Sequence, residues 1–161
     1  MGNIGKLVII ESPFRGENYL DTNLNILYAR ACVHDSLLKG EFPFASHLFY
    51  TQEGVLNDMV EEERSLGIDA GIAWGKLAEK RIVYQDRGIS NGMKYGIAFA
   101  KKISQEIEYR GLPDYEAFLK YATEIVGSRK GNYEFRENNG SFSKKKSSDY
   151  GKFLSEESLG V

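Results

Sequence analysis

Apolar residues in this chain come in short dense runs, separated by longer stretches where they recur every three or four positions. Leu7-Val8-Ile9-Ile10 is the first dense run. It lacks polar alternation, so Lys6 to Ile10 predicts a strand buried on both faces. Pro13 and Gly16 end it, and Glu11 to Gly16 is expected as a loop. From Asp21 to Lys39 the period becomes helical. Leu24, Leu27, Tyr28, Ala31 and Leu38 fall near one face, Asp21 or Thr22 can cap the start, and Gly40 supplies a stop.

Phe42 to Leu48 predicts a second strand, shortened or kinked by Pro43. Leu56 to Ala78 predicts a long helix. Its acidic triplet Glu61-Glu62-Glu63 suits the positive end of a helix dipole if a helix begins there. Its later part (Ile68, Ala70, Gly71, Ala73, Trp74, Leu77) is apolar with small residues, a composition for close packing, and Trp74 is expected in the core or at a subunit contact. Arg81 to Gln85 predicts a third strand, ended by Asp86-Arg87-Gly88. Ser90 then caps a helix to about Ile103, with Met93, Ile97 and Ala100 at helical spacing. Glu106 to Arg110 alternates charged and apolar residues and predicts a fourth strand at a sheet edge. Pro113 and Asp114 start a last helix, Tyr115 to Val126.

Strands alternating with helices imply a parallel sheet with helices on both faces. The expected fold is α/β, a Rossmann-like three-layer domain with a short parallel sheet of about four to five strands. Ligands of such sheets bind beyond the carboxyl ends of the strands, where the chain's least ordinary loops fall.

A length of 161 residues suits one such domain. It is expected over 1–126. From Gly127 to Ser148 Ser, Lys, Gly and Asn dominate, with Lys144-Lys145-Lys146 among them, so 127–161 is expected as a flexible tail. The net charge of −2 points away from a nucleic-acid or membrane surface. No stretch approaches the ~20 apolar residues of a membrane span. Cys32 is the single cysteine, which excludes an internal disulfide, and with only His34 and His47 beside it a zinc site is not expected. No metal and no cofactor are anticipated, and a reducing cytoplasm is the natural setting.

Three segments carry candidate chemistry. Glu11-Ser12-Pro13-Phe14-Arg15-Gly16 can offer a hydroxyl, an aromatic face and a guanidinium able to grip a phosphate in bidentate fashion. In Asp86-Arg87-Gly88-Ile89-Ser90-Asn91-Gly92-Met93, Gly88 and Gly92 let backbone approach a ligand, Ser90 opens a helix whose free N–H groups suit an anion, and Asp86 can accept two sugar hydroxyls. In Ser46-His47-Leu48-Phe49-Tyr50, His47 and Tyr50 can stack on a base. Each has a plainer reading: a strand-to-helix turn, a capped helix, core aromatics with a surface histidine.

A first strand ending in Ser-Pro-Phe, and a third ending in Asp before a Gly-x-Ser-x-Gly helix start, resemble the nucleoside 2-deoxyribosyltransferase-like superfamily, most closely its uncharacterised bacterial and phage relatives. The resemblance covers about Lys6 to Arg110, and the segment after Gly127 has no counterpart. It implies a Rossmann-like parallel sheet, a nucleoside pocket at the strand ends, and homo-oligomers that complete each other's pockets. In the enzymes a glutamate on the helix after the third strand attacks the anomeric carbon to form a covalent glycosyl intermediate, and an upstream aspartate assists. Asp86, Ser90 and Gly92 match the resemblance. The glutamate does not: the relatives' Ser-x-Gly-x-x-x-Glu spacing lands on Gly96, the transferases' arrangement lands on Lys94, and no Asp or Glu occurs between Asp86 and Glu106.

The resulting expectation is a protein that binds a nucleoside- or nucleotide-derived small molecule without turnover, for sequestration or sensing of a nucleotide signal in a phage or bacterial setting. The alternative is an N-glycosidase or deoxyribosyltransferase using Asp86 or Glu11 as its carboxylate. A relic fold serving only as an interaction protein is the third reading.

Overall fold

The computed structural model describes residues 5–138 of the chain, with side chains over 5–128. The chain divides into two units, Met1–Val126 and Gly127–Val161. In the first, β1 (Leu7–Glu11) leads to α1 (Tyr19–Leu38), β2 (Phe42–Phe44), α2 (Ser46–Tyr50), α3 (Glu61–Gly75), β3 (Lys80–Tyr84), α4 (Asn91–Lys102), β4 (Glu106–Arg110) and the start of α5 (Tyr115–Asn138). The strands form one parallel sheet in the order β2-β1-β3-β4. The architecture is Rossmann-like α/β, a four-stranded all-parallel sheet flanked by helices, and β4 lies at an edge as its charge alternation predicts.

Alternation along the central strands assigns the two faces. Val8 and Ile10 of β1 join Ile82 and Tyr84 of β3 in a core completed by Tyr28 and Cys32 of α1, with Tyr115 and Phe118 of α5 packed against it. The opposite face carries Val83, which packs with Met93 and Ile97 of α4. In register, Ile9 lies beside Arg81 and Glu11 beside Val83. Glu11 and Arg81 therefore belong to the α4 side of the sheet, at adjacent strands, and this places two charged side chains in what is otherwise an apolar layer.

Three expected elements are corrected. The second strand stops at Phe44, and Ser46–Tyr50 is a helix. Only Leu7, Val8 and Ile9 of β1 pair with it, and Gly71 of α3 leaves room for Ser46, whose hydroxyl would overlap a Cβ there. The long helix expected from Leu56 begins only at Glu61. Before it, Asn57 Oδ1 accepts from the Met59 amide at 3.0 Å and the Glu63 carboxylate accepts from the Asn57 amide at 2.6 Å, a local turn that competes with helix. The acidic triplet thus marks the true N-terminus. Trp74 is exposed rather than in the core, its Nε1 donating to the Tyr50 hydroxyl at 2.9 Å. The last helix continues past Val126 to Asn138, through a segment without proline and with several strong helix formers. The remainder of the expected tail, 139–161 with Lys144-Lys145-Lys146, lies outside the described residues.

Candidate functional site

A cavity of about 350 Å³ opens beyond the carboxyl ends of β1 and β3, where parallel α/β sheets hold their ligands. Its floor is Glu11 and Arg81. Ser12, Phe14 and Arg15 enter from the β1–α1 loop, and Ser46, His47 and Tyr50 from α2. Asp58 and Arg64 come from the start of α3 and the loop before it. Ser90, Asn91, Gly92 and Met93 form the first turn of α4, with Gly96 one turn on.

The floor is an ion pair. The Arg81 guanidinium donates through NH1 to Glu11 Oε1, and Arg81 is 1% exposed. Its Nε reaches Gln105 at 3.4 Å, and Gln105 is itself tied to the carbonyls of Gly75 and Ala78 at 2.8 and 2.7 Å. The other terminal nitrogen, NH2, is buried without a hydrogen-bond partner. Two glycines make the pair possible: a Cβ at Gly75 would overlap Arg81, and a Cβ at Gly96 would overlap the Glu11 carboxylate and approach Arg81 NH1 at 2.7 Å. Burial pushes the Glu11 carboxyl up from 4.5 to about 7, against the opposing pull of Arg81. A carboxyl poised there can exchange a proton with a ligand at neutral pH.

Above the floor, Ser12 and His47 share a hydrogen bond, with Oγ and Nε2 2.9 Å apart. The Phe14 ring meets the imidazole edge-on at a centroid distance of 6.4 Å. Asn25 of α1 donates to the Phe14 carbonyl at 3.1 Å and accepts from Arg87 Nε at 2.7 Å, which anchors this loop to the helix behind it. Burial lowers the His47 pKa from 6.5 to about 4, only partly offset by the Asp58 charge, so the imidazole is neutral at physiological pH. On the outer wall Asp58 bridges two arginines. Arg15 Nε donates to it at 3.0 Å, and one terminal nitrogen of Arg64 donates to both of its oxygens at 2.8 Å.

The α4 end of the cavity follows from local sequence. Ser90 Oγ accepts from the Met93 amide at 3.3 Å and the Met93 sulfur accepts from the Ser90 amide at 3.4 Å, so the cap is reciprocal. The Arg64 guanidinium lies against this turn, its NH2 3.5 Å from where a Cβ on Gly92 would stand.

The structure thus gathers Glu11, Ser12, Phe14, Arg15, His47, Tyr50, Ser90, Asn91, Gly92 and Met93 at one cavity, and sets the other sequence candidates apart from its lining. Asp86 is committed elsewhere. Its Oδ2 accepts from the Tyr28 hydroxyl at 2.7 Å and from the Leu112 amide at 2.9 Å, and its own amide donates to the Tyr28 oxygen at 3.1 Å. Gly88 serves the turn, at φ 78°, a left-handed conformation that favours glycine. Gly16 packs against Asp21 and Thr22 at the start of α1, donating its amide to Thr22 Oγ1 at 3.0 Å, and Pro13 is buried outside the lining. Arg81, Asp58 and Arg64 went unread. The one signal for Arg81 was an arginine opening an apolar strand run, and Arg64 was hidden behind the acidic triplet beside it. Among the described residues, no group of three or more His, Cys, Asp or Glu side chains is placed to hold a metal ion, and no helix is long and apolar enough to cross a membrane.

Residues 6–110, which supply the whole sheet and most of the cavity, match the model of one protein family, described as a domain of unknown function (DUF7768). No curated protein and no solved structure matches the chain.

Proposed function

The chain belongs to that family, and on that footing we propose that it binds a nucleoside- or nucleotide-derived small molecule in the cavity at the carboxyl ends of β1 and β3. The supporting observation is convergence. Segments separated by tens of residues bring an aromatic ring, a neutral imidazole, a hydroxyl and guanidinium groups to a single cavity, and its size falls in the range of small-molecule sites. The likeness of Ser12-Pro13-Phe14 and of Ser90-x-Gly92 to the nucleoside 2-deoxyribosyltransferase-like superfamily names the ligand class. Calorimetry with a panel of nucleosides and nucleotides tests the reading, together with mass spectrometry of small molecules released from denatured protein. Saturable binding that weakens in Phe14→Ala and His47→Ala is expected; no heat at millimolar ligand counts against it.

One observation favours a second reading, chemistry at an N-glycosidic bond. The glutamate of the uncharacterised relatives' Ser-x-Gly-x-x-x-Glu spacing falls on Gly96 here, and the Glu11 carboxylate fills the space beside it. A carboxylate has thus been supplied to the same region from β1 instead of α4. Release of free base from a bound nucleoside, lost in Glu11→Gln, would establish turnover, and binding without release would leave the site a receptor.

A further inference from the structure

The outer wall of the cavity holds an arrangement to which the nucleoside reading gives no specific task. Arg15, on the β1–α1 loop, and Arg64, in the first turns of α3, both close on Asp58. We propose that these two arginines form an anion clamp for a phosphate or diphosphate group, with Asp58 fixing both beside the cavity until the ligand arrives. The proposal rests on the nucleoside reading for the rest of the ligand and specifies that the ligand is phosphorylated.

The geometry supports it in three respects. First, both arginines line the cavity and remain partly open, at 37% and 21% side-chain exposure, against 17% for Asp58. A purely structural bridge in the core would be closed on all sides. Second, Asp58 engages only Nε of Arg15 and one terminal nitrogen of Arg64. A guanidinium carries five donors in a planar fork, so each keeps an edge that this carboxylate does not occupy. Third, one Asp58 carboxylate is shared between two guanidiniums, and Glu63, which also lines the cavity, accepts from the Asn57 amide. A phosphate group brings more charge than a carboxylate and accepts from both forks at once. Arg64 also lies against the first turn of α4, where helix N–H groups lack intrahelical acceptors, so a phosphate there meets donors from both sides.

Asp58 then opposes the ligand through its charge, while its oxygens hold the two forks whose free edges the anion uses. That gives the proposal a consequence that general surface adsorption lacks: removing the carboxylate strengthens anion binding instead of leaving it unchanged.

The test uses pyrophosphate alone, titrated into the full chain at low ionic strength and followed by phosphorus NMR, with adenosine titrated separately. Pyrophosphate is expected to bind saturably. Its affinity should fall at least tenfold in Arg64→Ala and in Arg15→Ala, rise severalfold in Asp58→Asn, and stay unchanged in Lys101→Ala on the far end of α4. Arg15 is itself exposed, so that variant reports on the clamp even if Arg64→Ala folds poorly. No saturable binding, or binding indifferent to both arginines and to Asp58, overturns the clamp. Adenosine reports on the cavity itself, so failure of the clamp and failure of the nucleoside reading give different results.

Discussion

The carboxylate of Glu11 occupies the volume into which a side chain at position 96 would project: a Cβ built on Gly96 overlaps Glu11 Oε1. The two positions lie on different elements, the end of β1 and the second turn of α4, yet they share one space. Gly96→Ala is therefore expected to destabilise the fold by about 1–3 kcal/mol through overpacking. Glu11→Ala is destabilising for a different reason, since it leaves the buried Arg81 without its counter-charge, at about 3–5 kcal/mol. The double variant should lose clearly less than the sum, because the alanine at 96 no longer meets a carboxylate. The recovery is partial, since Arg81 NH1 still lies 2.7 Å from the new Cβ. Denaturant unfolding of the four proteins measures the coupling, and strict additivity would show that the two groups do not compete for space.

Glu11 should titrate near neutrality. Its carboxyl stands at about 7 in the fold against 4.5 for the free group, with burial the cause. A pKa raised by folding favours the folded state below 4.5 and loses that advantage as pH rises through about 7. The loss is on the order of 3 kcal/mol. Relative to Glu11→Gln, the wild type should lose stability as pH rises between those limits, and the difference between the two proteins is the quantity to read. Carbon-13 NMR of the side-chain carboxyl reads the midpoint directly, and a midpoint below 5 would mean that Arg81 dominates over burial.

Asp86 is expected to matter for stability and not for the cavity. Tyr28→Phe removes both a donor to its carboxylate and the acceptor of its amide, and should cost about 1–3 kcal/mol. Asp86→Asn keeps the shape and weakens the bonds to Tyr28 and the Leu112 amide. Neither should change the affinity of a cavity ligand by more than a factor of two. A tenfold loss of binding in Asp86→Asn, in protein that still melts cooperatively, would return this residue to the site.

These cases show what a linear reading of the chain can and cannot reach. The sheet is carried by Val8-Ile9-Ile10 and Ile82-Val83, whose apolar runs announce buried parallel strands without any knowledge of partners. The rim loops followed from the same logic, because a parallel sheet sends its ligand to the strand ends whatever the residues are. Asp86 shows that a strand-end position does not by itself put a residue in the cavity lining; only the coordinates show its bonds to Tyr28 and the Leu112 amide. Arg81 was missed for the converse reason. Its burial depends on Glu11 across the sheet and on two distant glycines that make room, a coincidence of four segments that no local pattern encodes. The late start of α3 was marked in the sequence by its acidic triplet, but periodicity through Leu56 outweighed it.

Far from the cavity, Glu41 and Glu108 share the acid limit of the fold, for Arg110 and Lys80 hold the Glu108 carboxyl at about 2 as well. The Glu41 oxygens accept from Arg110 at 2.8 and 2.6 Å, from Ser36 at 2.6 Å and from Lys80 at 3.0 Å, joining the end of the α1–β2 connection to β3 and β4. Burial opposes its ionisation, but these donors prevail and hold the carboxyl at about 2, below its usual 4.5. A pKa lowered by folding stabilises the fold above 4.5, and that contribution disappears as pH falls through about 2. It is on the order of 3 kcal/mol. His47 adds to the same slope at higher pH. With its pKa lowered from 6.5 to about 4, the unfolded chain takes up a proton there first, and stability starts to fall below 6.5. His47 and Glu41 thus contribute two stages of loss as pH falls, between 6.5 and 4 and again between 4.5 and 2, the first running against the opposite slope of Glu11 and so read as the difference between wild type and variant. His47→Asn should flatten the first stage and leave the second. Glu41→Gln should leave the first stage and reduce the second without abolishing it, since Glu108 titrates over the same range, and at pH 7 should already cost about 3 kcal/mol by loosening Arg110 and Lys80. Urea midpoints measured across this range separate the two residues, and profiles that both substitutions leave unchanged would place the acid sensitivity in other groups.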